Sequence, residues 1–375
     1  MAKVKKQSPA AVSLKRIKDE MEDVDYAKDS SEERPLKRGK SSTSATSISR
    51  SATPTIPEGH VAFNVQYPDL TKLGEKGKEV LKHAEFLVSP FVAKRVNKKG
   101  ELDTYYMVEP SSEWESMRKY TNFVIVGDTY GNDCFVYVRS TTTPAENDTQ
   151  EPSMKNFWIA RVLQVRAKDA SHVYALVAWM YWPDELPKPK KPSADQVNKA
   201  GGKRTYHGAY ELVASNYLEV VDVLSFAGKA DVQQWDEDED GDQIRSQLYW
   251  RQTFSRETHA LSPIREHCIC KGHYNPDVPM YICDNAECKI WLHKQCLIDH
   301  TLTKEFEKIN LASGSTSNSK GRSTKTKPYA GVLSGSIDEV GENNTPMITM
   351  RDLRQNRKSV HQQRICCPRC DTELD

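Results

Sequence analysis

The stretch VAWMYWPDE, Val177–Glu185, decides how the chain reads. Trp179 and Tyr181 stand two residues apart, so on a strand both project from one face, with Trp182 on the other. Outward from it the same strand-like texture recurs. HVYALVAWMYWP (172–183) and FWIARVLQVRA (157–167) are apolar runs of strand length. Upstream, NFVIVGD (122–128) and DCFVYVRS (133–140) are short β-branched and aromatic runs separated by the turn residues TYGND, a pattern that predicts a hairpin. A Lys- and Pro-rich interruption covers 187–202, and YHGAYELVASNYLEVVDVLSF (206–226) then resumes the pattern. Many short strands with little helix between them predict a mainly β, partly closed barrel or sandwich.

VAWMYWPDE, taken with GGKRTYHGAYELVASNYLEVVD (201–222), resembles the core of a BAH (bromo-adjacent homology) domain. The likeness covers about Tyr120 to Phe254 and is to plant and fungal proteins in which a PHD finger follows directly. It implies a β-barrel-like module over 119–258 that reads methylated lysine on histone tails. It places Trp158, Trp179 and Tyr181 at the positions of an aromatic cage, and His207 and Asn216 where relatives hydrogen-bond the peptide backbone. Asn216 stands where some relatives carry Asp, which keeps the hydrogen bond and removes a charge. The chemistry is apt, because a quaternary ammonium donates no hydrogen bond and is held by aromatic faces, each worth roughly 0.5–2 kcal/mol. The competing reading is that the three rings simply fill the barrel core.

Eight of nine cysteines follow residue 267, and seven of them with one histidine form a metal-ligand series: Cys268-x-Cys270, Cys283-x4-Cys288, His293-x2-Cys296 and Cys367-x2-Cys370. Eight ligands make two tetrahedral zinc sites. In cross-braced order Cys268, Cys270, His293 and Cys296 take one ion, and Cys283, Cys288, Cys367 and Cys370 the other. Closed four-ligand sites leave no place for substrate, so these zincs are expected to be structural. Cys366 competes with Cys367, which is preferred because Cys-Pro-x-Cys keeps the usual spacing. The ligand order, with Trp291 two residues before His293, resembles a PHD finger over 265–373. A RING finger would carry His at the fourth ligand, where Cys288 stands. Ile365 replaces the aromatic frequent before the closing pair. The resemblance further sets Tyr274, Met280 and Trp291 as walls of a second cage. Trp291 can equally serve the finger's own small core. Between Cys296 and Cys367, SGSTSNSKGRSTKTKP (313–328) predicts a disordered insertion over about 308–350.

Fifty-three basic and 52 acidic residues leave a formal charge of +1, which speaks against a uniformly basic nucleic-acid surface. No apolar run reaches the length of a membrane span, and the opening MAKVKKQSPA lacks a secretory core. The expectation is a soluble intracellular chain with neither a membrane nor a small-molecule substrate as partner. Residues 1–56 combine charge runs with SSTSATSISRSATPT (41–55) and read as a disordered tail, in which KVKK (3–6) and RPLKRGK (34–40) suit nuclear import. Residues 57–118 mix strand-like (HVAFNV, TYYMVEP) and helical (EKGKEVLKHAEFLV) spacing, a folded lead-in without an evident role. Cys134 reads as a buried strand residue. The acidic run DEDEDGD (236–242) would steer a basic tail if it lay beside the groove.

The resemblance thus implies a nuclear, non-enzymatic chromatin reader: H3K27me3 bound by the BAH cage, gene silencing, a second tail contact (the H3K4 region) by the finger, and repressor subunits as partners. A DNA- or nucleosome-binding scaffold whose aromatics are only core is the alternative. A zinc enzyme such as a ubiquitin ligase finds no nucleophile, general base or phosphate loop in the sequence.

Overall fold

The computed structural model describes residues 60–81, 86–91, 102–140, 143–144, 153–186, 202–237, 247–312, 327–340, 345–354 and 359–374. The tail expected over 1–56, its import motifs and most of the acidic run lie outside these residues. The described residues form two compact units, one spanning the chain to Pro263 except Thr205–Ala209, the other consisting of Thr205–Ala209 and Ile264 onward. No described helix is long and apolar enough to cross a membrane.

The first unit is built on a nine-stranded sheet. Its main path runs Phe226–Ala230, Phe135–Val138, Trp158–Ala167, Val173–Tyr181, Glu211–Asp222, Leu248–Ser255, Val232–Gln234. Arg118–Tyr120 pairs with Trp158–Ala167, and Ala260–Leu261 with Leu248–Ser255. Pairing is antiparallel except where Leu248–Ser255 meets Glu211–Asp222 and Val232–Gln234. The two ends of the path, Phe226–Ala230 and Val232–Gln234, are separated in sequence by Asp231 alone. A single residue cannot span a flat sheet of this width, so the sheet curls until its ends meet, which is the expected barrel.

The strand Val173–Tyr181 is buried on both faces, and period two sorts its side chains. Tyr174, Leu176, Ala178 and Met180 enter one cluster, whereas Ala175, Val177, Trp179 and Tyr181 enter another. Trp182 packs with the first, on the opposite face from Tyr181. The first cluster also contains Phe91, Leu102, Tyr106, Val108, Trp114 and Met117, with Phe63 and Val65 against it. The described residues between His60 and Arg118 therefore have a structural role: they cover one face of the sheet, which water would otherwise meet. Arg166 ties this cover down, donating from Nη1 to the Trp114 carbonyl at 2.8 Å and lying 4.9 Å over the Trp114 ring.

The hairpin near residue 125 differs from the sequence expectation. Asn122–Ile125 pairs with Asp128–Gly131, and the chain reverses at Val126–Gly127, both at positive φ (48° and 79°), not at TYGND. Gly127 supplies the left-handed conformation that a two-residue turn of this hand needs. Phe135–Val138 then leaves for the main sheet, preceded by half-buried Cys134, which lies just outside the strand with its thiol pushed up by burial.

A buried charge network sits beside the Glu211–Asp222 strand. Arg251 donates to Glu211 from Nε at 2.9 Å and from Nη2 at 3.2 Å, and also pairs with Glu237, the second residue of the acidic run. Burial opposes the guanidinium charge, but Glu211 and Glu237 together more than offset it and push the Arg251 pKa up.

In the second unit most of SGSTSNSKGRSTKTKP (313–328), on which the expectation of disorder rested, lies outside the described residues, whereas the described parts of 308–350 form helix and strand. Helix Lys294–Ala312 runs into it, and Leu333–Val340, Thr345–Asp352 and Val360–Arg364 form an antiparallel three-stranded sheet. Leu333, Ile337, Ile348 and Met350 bury themselves with Leu297, Ile298 and Leu302 of the helix, beside Leu292, Ile365 and Cys283. The apolar positions alternate with Ser, Thr and Asp, which kept their mean hydropathy low and hid the strands. The inserted elements supply a core that a two-metal finger alone lacks the area to build.

Candidate functional site

The metal centre is assembled from short backbone devices. Cys268 and Lys271 adopt positive φ (66° and 55°), folding Cys268-Ile269-Cys270 into a tight knuckle. Backbone amides then point at sulfur: Gly272 N–H to Cys270 Sγ at 3.3 Å and His293 N–H to Cys268 Sγ at 3.4 Å. A Cβ on Gly272 would sit 3.1 Å from both Cys270 Sγ and His293 Cε1, so a side chain there would crowd two ligands. The strands Met280–Ile282 and Trp291–His293 pair antiparallel and present His293 from the second strand's end.

The ligand atoms of Cys268, Cys270, His293 and Cys296 gather within 4.8 Å of one another, as do those of Cys283, Cys288, Cys367 and Cys370. These are the two cross-braced sets read from the spacing, and Cys367 rather than Cys366 takes part. Cys366 is half-buried, outside both ligand sets, and its backbone forms an isolated antiparallel β-bridge with Glu373. The donor sets fit zinc. His293 Nδ1 faces the first set, 3.3 Å from Cys270 Sγ, while its Nε2–H donates to the His273 carbonyl at 3.0 Å, the kind of bond that fixes a metal-binding imidazole. Burial and neighbouring thiols push Cys283 up to about 12 and raise Cys296 and Cys367, so the sulfurs resist ionising together without a cation. Cys370, beside the Thr372 hydroxyl and amide, is lowered to about 6. A divalent ion would supply the missing charge in each set and, with four protein ligands, act as a structural brace.

The structure brings Trp158, Trp179 and Tyr181 into one cluster. Trp158 meets Trp179 edge to face, 5.6 Å between centroids at 81°. Trp179 is 2% exposed and Tyr181 0%, whereas Trp158 is half-buried. A bulge re-aims the neighbouring strand here: Ala178 pairs with Leu218 and Met180 with Ala214, so Ser215, Asn216 and Tyr217 all lie opposite Trp179. Ser215 Oγ donates to the Trp179 carbonyl at 2.8 Å, and Trp179 Nε1 donates to Glu219 at 2.9 Å. Tyr217 stands perpendicular to Tyr181 at 6.0 Å and stacks on Phe254. The sequence reading passed over Glu219 and Tyr217, although the period-two alternation that singled out Trp179 extends to both.

Asn216 is 0% exposed and its amide is engaged at both ends, donating to Glu257 at 2.8 Å and accepting from the Arg256 amide at 2.8 Å. His207 is buried and belongs with the finger's unit, not with the barrel. Among the finger's expected cage residues, Tyr274 and Trp291 lie 6.5 Å apart with rings tilted by 40°, and Trp291 is 37% exposed. Met280, Ile282 and Trp291 share the hairpin face away from buried Leu292. This surface is open, in contrast to the enclosed rings of the barrel.

No protein-family model matches the chain. It is similar to two curated proteins of Arabidopsis thaliana, the chromatin remodeling proteins EBS (29% identical, covering 37% of this chain and 55% of that one) and SHL (29% identical, 40% and 60%). The aligned stretch thus spans little more than half of either relative. A solved structure, the yeast Rsc2 BAH domain, aligns over 40% of this chain and 55% of its own at 11% identity with a TM-score of 0.26. The chain thus combines a β module whose motifs resemble a BAH domain with a finger whose two four-ligand sets resemble those of a PHD finger, and it is similar to two plant chromatin remodeling proteins over part of their length.

Proposed function

We propose that the chain is a nuclear, non-enzymatic chromatin reader. Its β module binds a methylated lysine of the histone H3 tail, with H3K27me3 the foremost candidate, and so contributes to gene silencing alongside repressor subunits. The observation that carries this reading is the edge-to-face packing of half-buried Trp158 on Trp179, within the larger core cluster that also holds Tyr181. Entry of a methylammonium asks only that Trp158 turn about its side-chain bonds, since Trp179 is held by Glu219 and Tyr181 by its buried position. Glu219 adds a carboxylate next to the cage wall, favourable to any cation. Kinship to two plant proteins named for chromatin remodeling agrees with a nuclear, histone-directed role.

Calorimetric titration of the zinc-loaded chain with H3 peptides tests it. The H3K27me3 peptide should bind at least about tenfold tighter than its unmodified form, a difference of about 1.4 kcal/mol. Equal affinity for the two would overturn the reading.

The open Tyr274–Met280–Trp291 surface favours a second tail contact by the finger, at the H3K4 end. Peptides covering the first residues of H3, titrated against Trp291→Ala, test that contact separately.

A further inference from the structure

The segment Thr205–Ala209 precedes a barrel strand in sequence but belongs to the finger's unit. Hydrogen bonds and ring packing hold it there. Asn275 Nδ2 donates to the Thr205 carbonyl at 2.8 Å, and the Ala209 amide donates to Asp277 Oδ2 at 2.7 Å. Between these two clasps the Tyr206 ring meets the His273 ring edge to face at 4.8 Å and that of its own neighbour His207 at 4.6 Å. The loop that grips the segment, His273–Asp277, is braced internally by Asn275 Oδ1, which accepts from the Asp277 amide at 2.9 Å. It is also bonded to the metal centre: the His273 carbonyl accepts from Nε2 of His293, whose Nδ1 faces Cys270 and Cys296.

We propose that Asn275 and Asp277 are positioning residues, and that metal in the Cys268–Cys270–His293–Cys296 set orders Thr205–Ala209 and with it His207. With Nδ1 on the metal, the imidazole is locked in the tautomer that donates from Nε2, and the carbonyl it bonds belongs to the residue that packs on Tyr206. The loop then presents its two side chains to the segment at fixed spacing. Without metal, the imidazole is free to rotate, the carbonyl loses its fixed donor, and the grip on the segment relaxes. The geometry alone carries this assignment, which does not depend on the reader function. What it adds is that a residue of the barrel's sequence is placed by the finger's metal state.

Hydrogen–deuterium exchange on the full chain tests it, with zinc content measured in parallel. In Asp277→Ala and Asn275→Ala, exchange over 205–209 should rise roughly fivefold or more while both zincs and the protection of Trp291–His293 are retained. Asp277→Asn keeps an acceptor oxygen and should stay close to wild type, a rescue that a merely destabilised finger would not show. Gradual chelation should raise exchange over 205–209 in step with loss of the His293-site metal. Unchanged exchange over 205–209 in both alanine variants, or protection that survives loss of that metal, overturns the proposal.

Discussion

Trp158 crosses Trp179 edge to face, yet the two rings differ sharply in enclosure, the first half-buried and the second all but sealed. That asymmetry separates recognition from folding. Trp158→Ala should leave the melting temperature within a few degrees of wild type and weaken trimethyl-lysine peptide binding by about tenfold or more. Trp179→Ala should cost roughly 3–5 kcal/mol of stability whatever the ligand. Calorimetry beside thermal denaturation reads both. If Trp158→Ala left peptide affinity intact while binding to DNA fell steeply with salt, the scaffold alternative would take its place.

The finger offers an internal control in its neighbouring thiols. Cys367→Ser should lower the zinc content from two ions per chain and unfold the second unit, whereas Cys366→Ser should keep both. Metal analysis and far-ultraviolet circular dichroism distinguish the two outcomes.

Arg251 and Glu211 are buried together, so removing one partner leaves the other charged in a poor solvent. Arg251→Met should destabilise the barrel by about 3–5 kcal/mol, and Arg251→Met combined with Glu211→Gln by less than the sum of the single changes. Urea denaturation of the two single variants and the double variant measures the coupling.

Glu257 provides a pH signature. Burial would raise its pKa, but the Asn216 amide and Arg256 more than offset this, so the folded value lies below the ordinary 4.5. A depressed carboxylate stabilises the fold above its unfolded pKa, and the contribution fades as the pH falls through the folded value. The stability advantage of wild type over Glu257→Gln should therefore hold at neutral pH, begin to fade near pH 4.5 and be lost once the pH is below the lower folded value. An advantage that grew in acid would contradict the assignment.

Much of this architecture was legible because local patterns and final environment agree. The alternation around Trp179 survives as two clusters on two faces, and the ligand spacing survives as two four-ligand sets. Other features depend on partners distant in sequence, which spacing cannot reveal. The strands at 333–352 are nearly half Ser, Thr, Gly and Asp, and only the helix that ends at Ala312 makes their sparse apolar side a core. Asn216 looked available to a peptide because its engagement by Arg256 and Glu257 comes from 40 and 41 residues away. Placement of His207 likewise needed the loop at 273–277, on the far side of the barrel's last strand in sequence.

The one-residue link at Asp231 has a kinetic consequence. Because Phe226–Ala230 and Val232–Gln234 lie on opposite borders of the sheet, a single nine-residue segment seals both borders at once. The seam can form only after Phe135–Val138 and Leu248–Ser255, over a hundred positions apart along the chain, have found their places. Such non-local closure is slow to reach and, once reached, hard to undo piecemeal. The barrel should accordingly open as one cooperative unit, with the amides of 226–234 exchanging only on global unfolding.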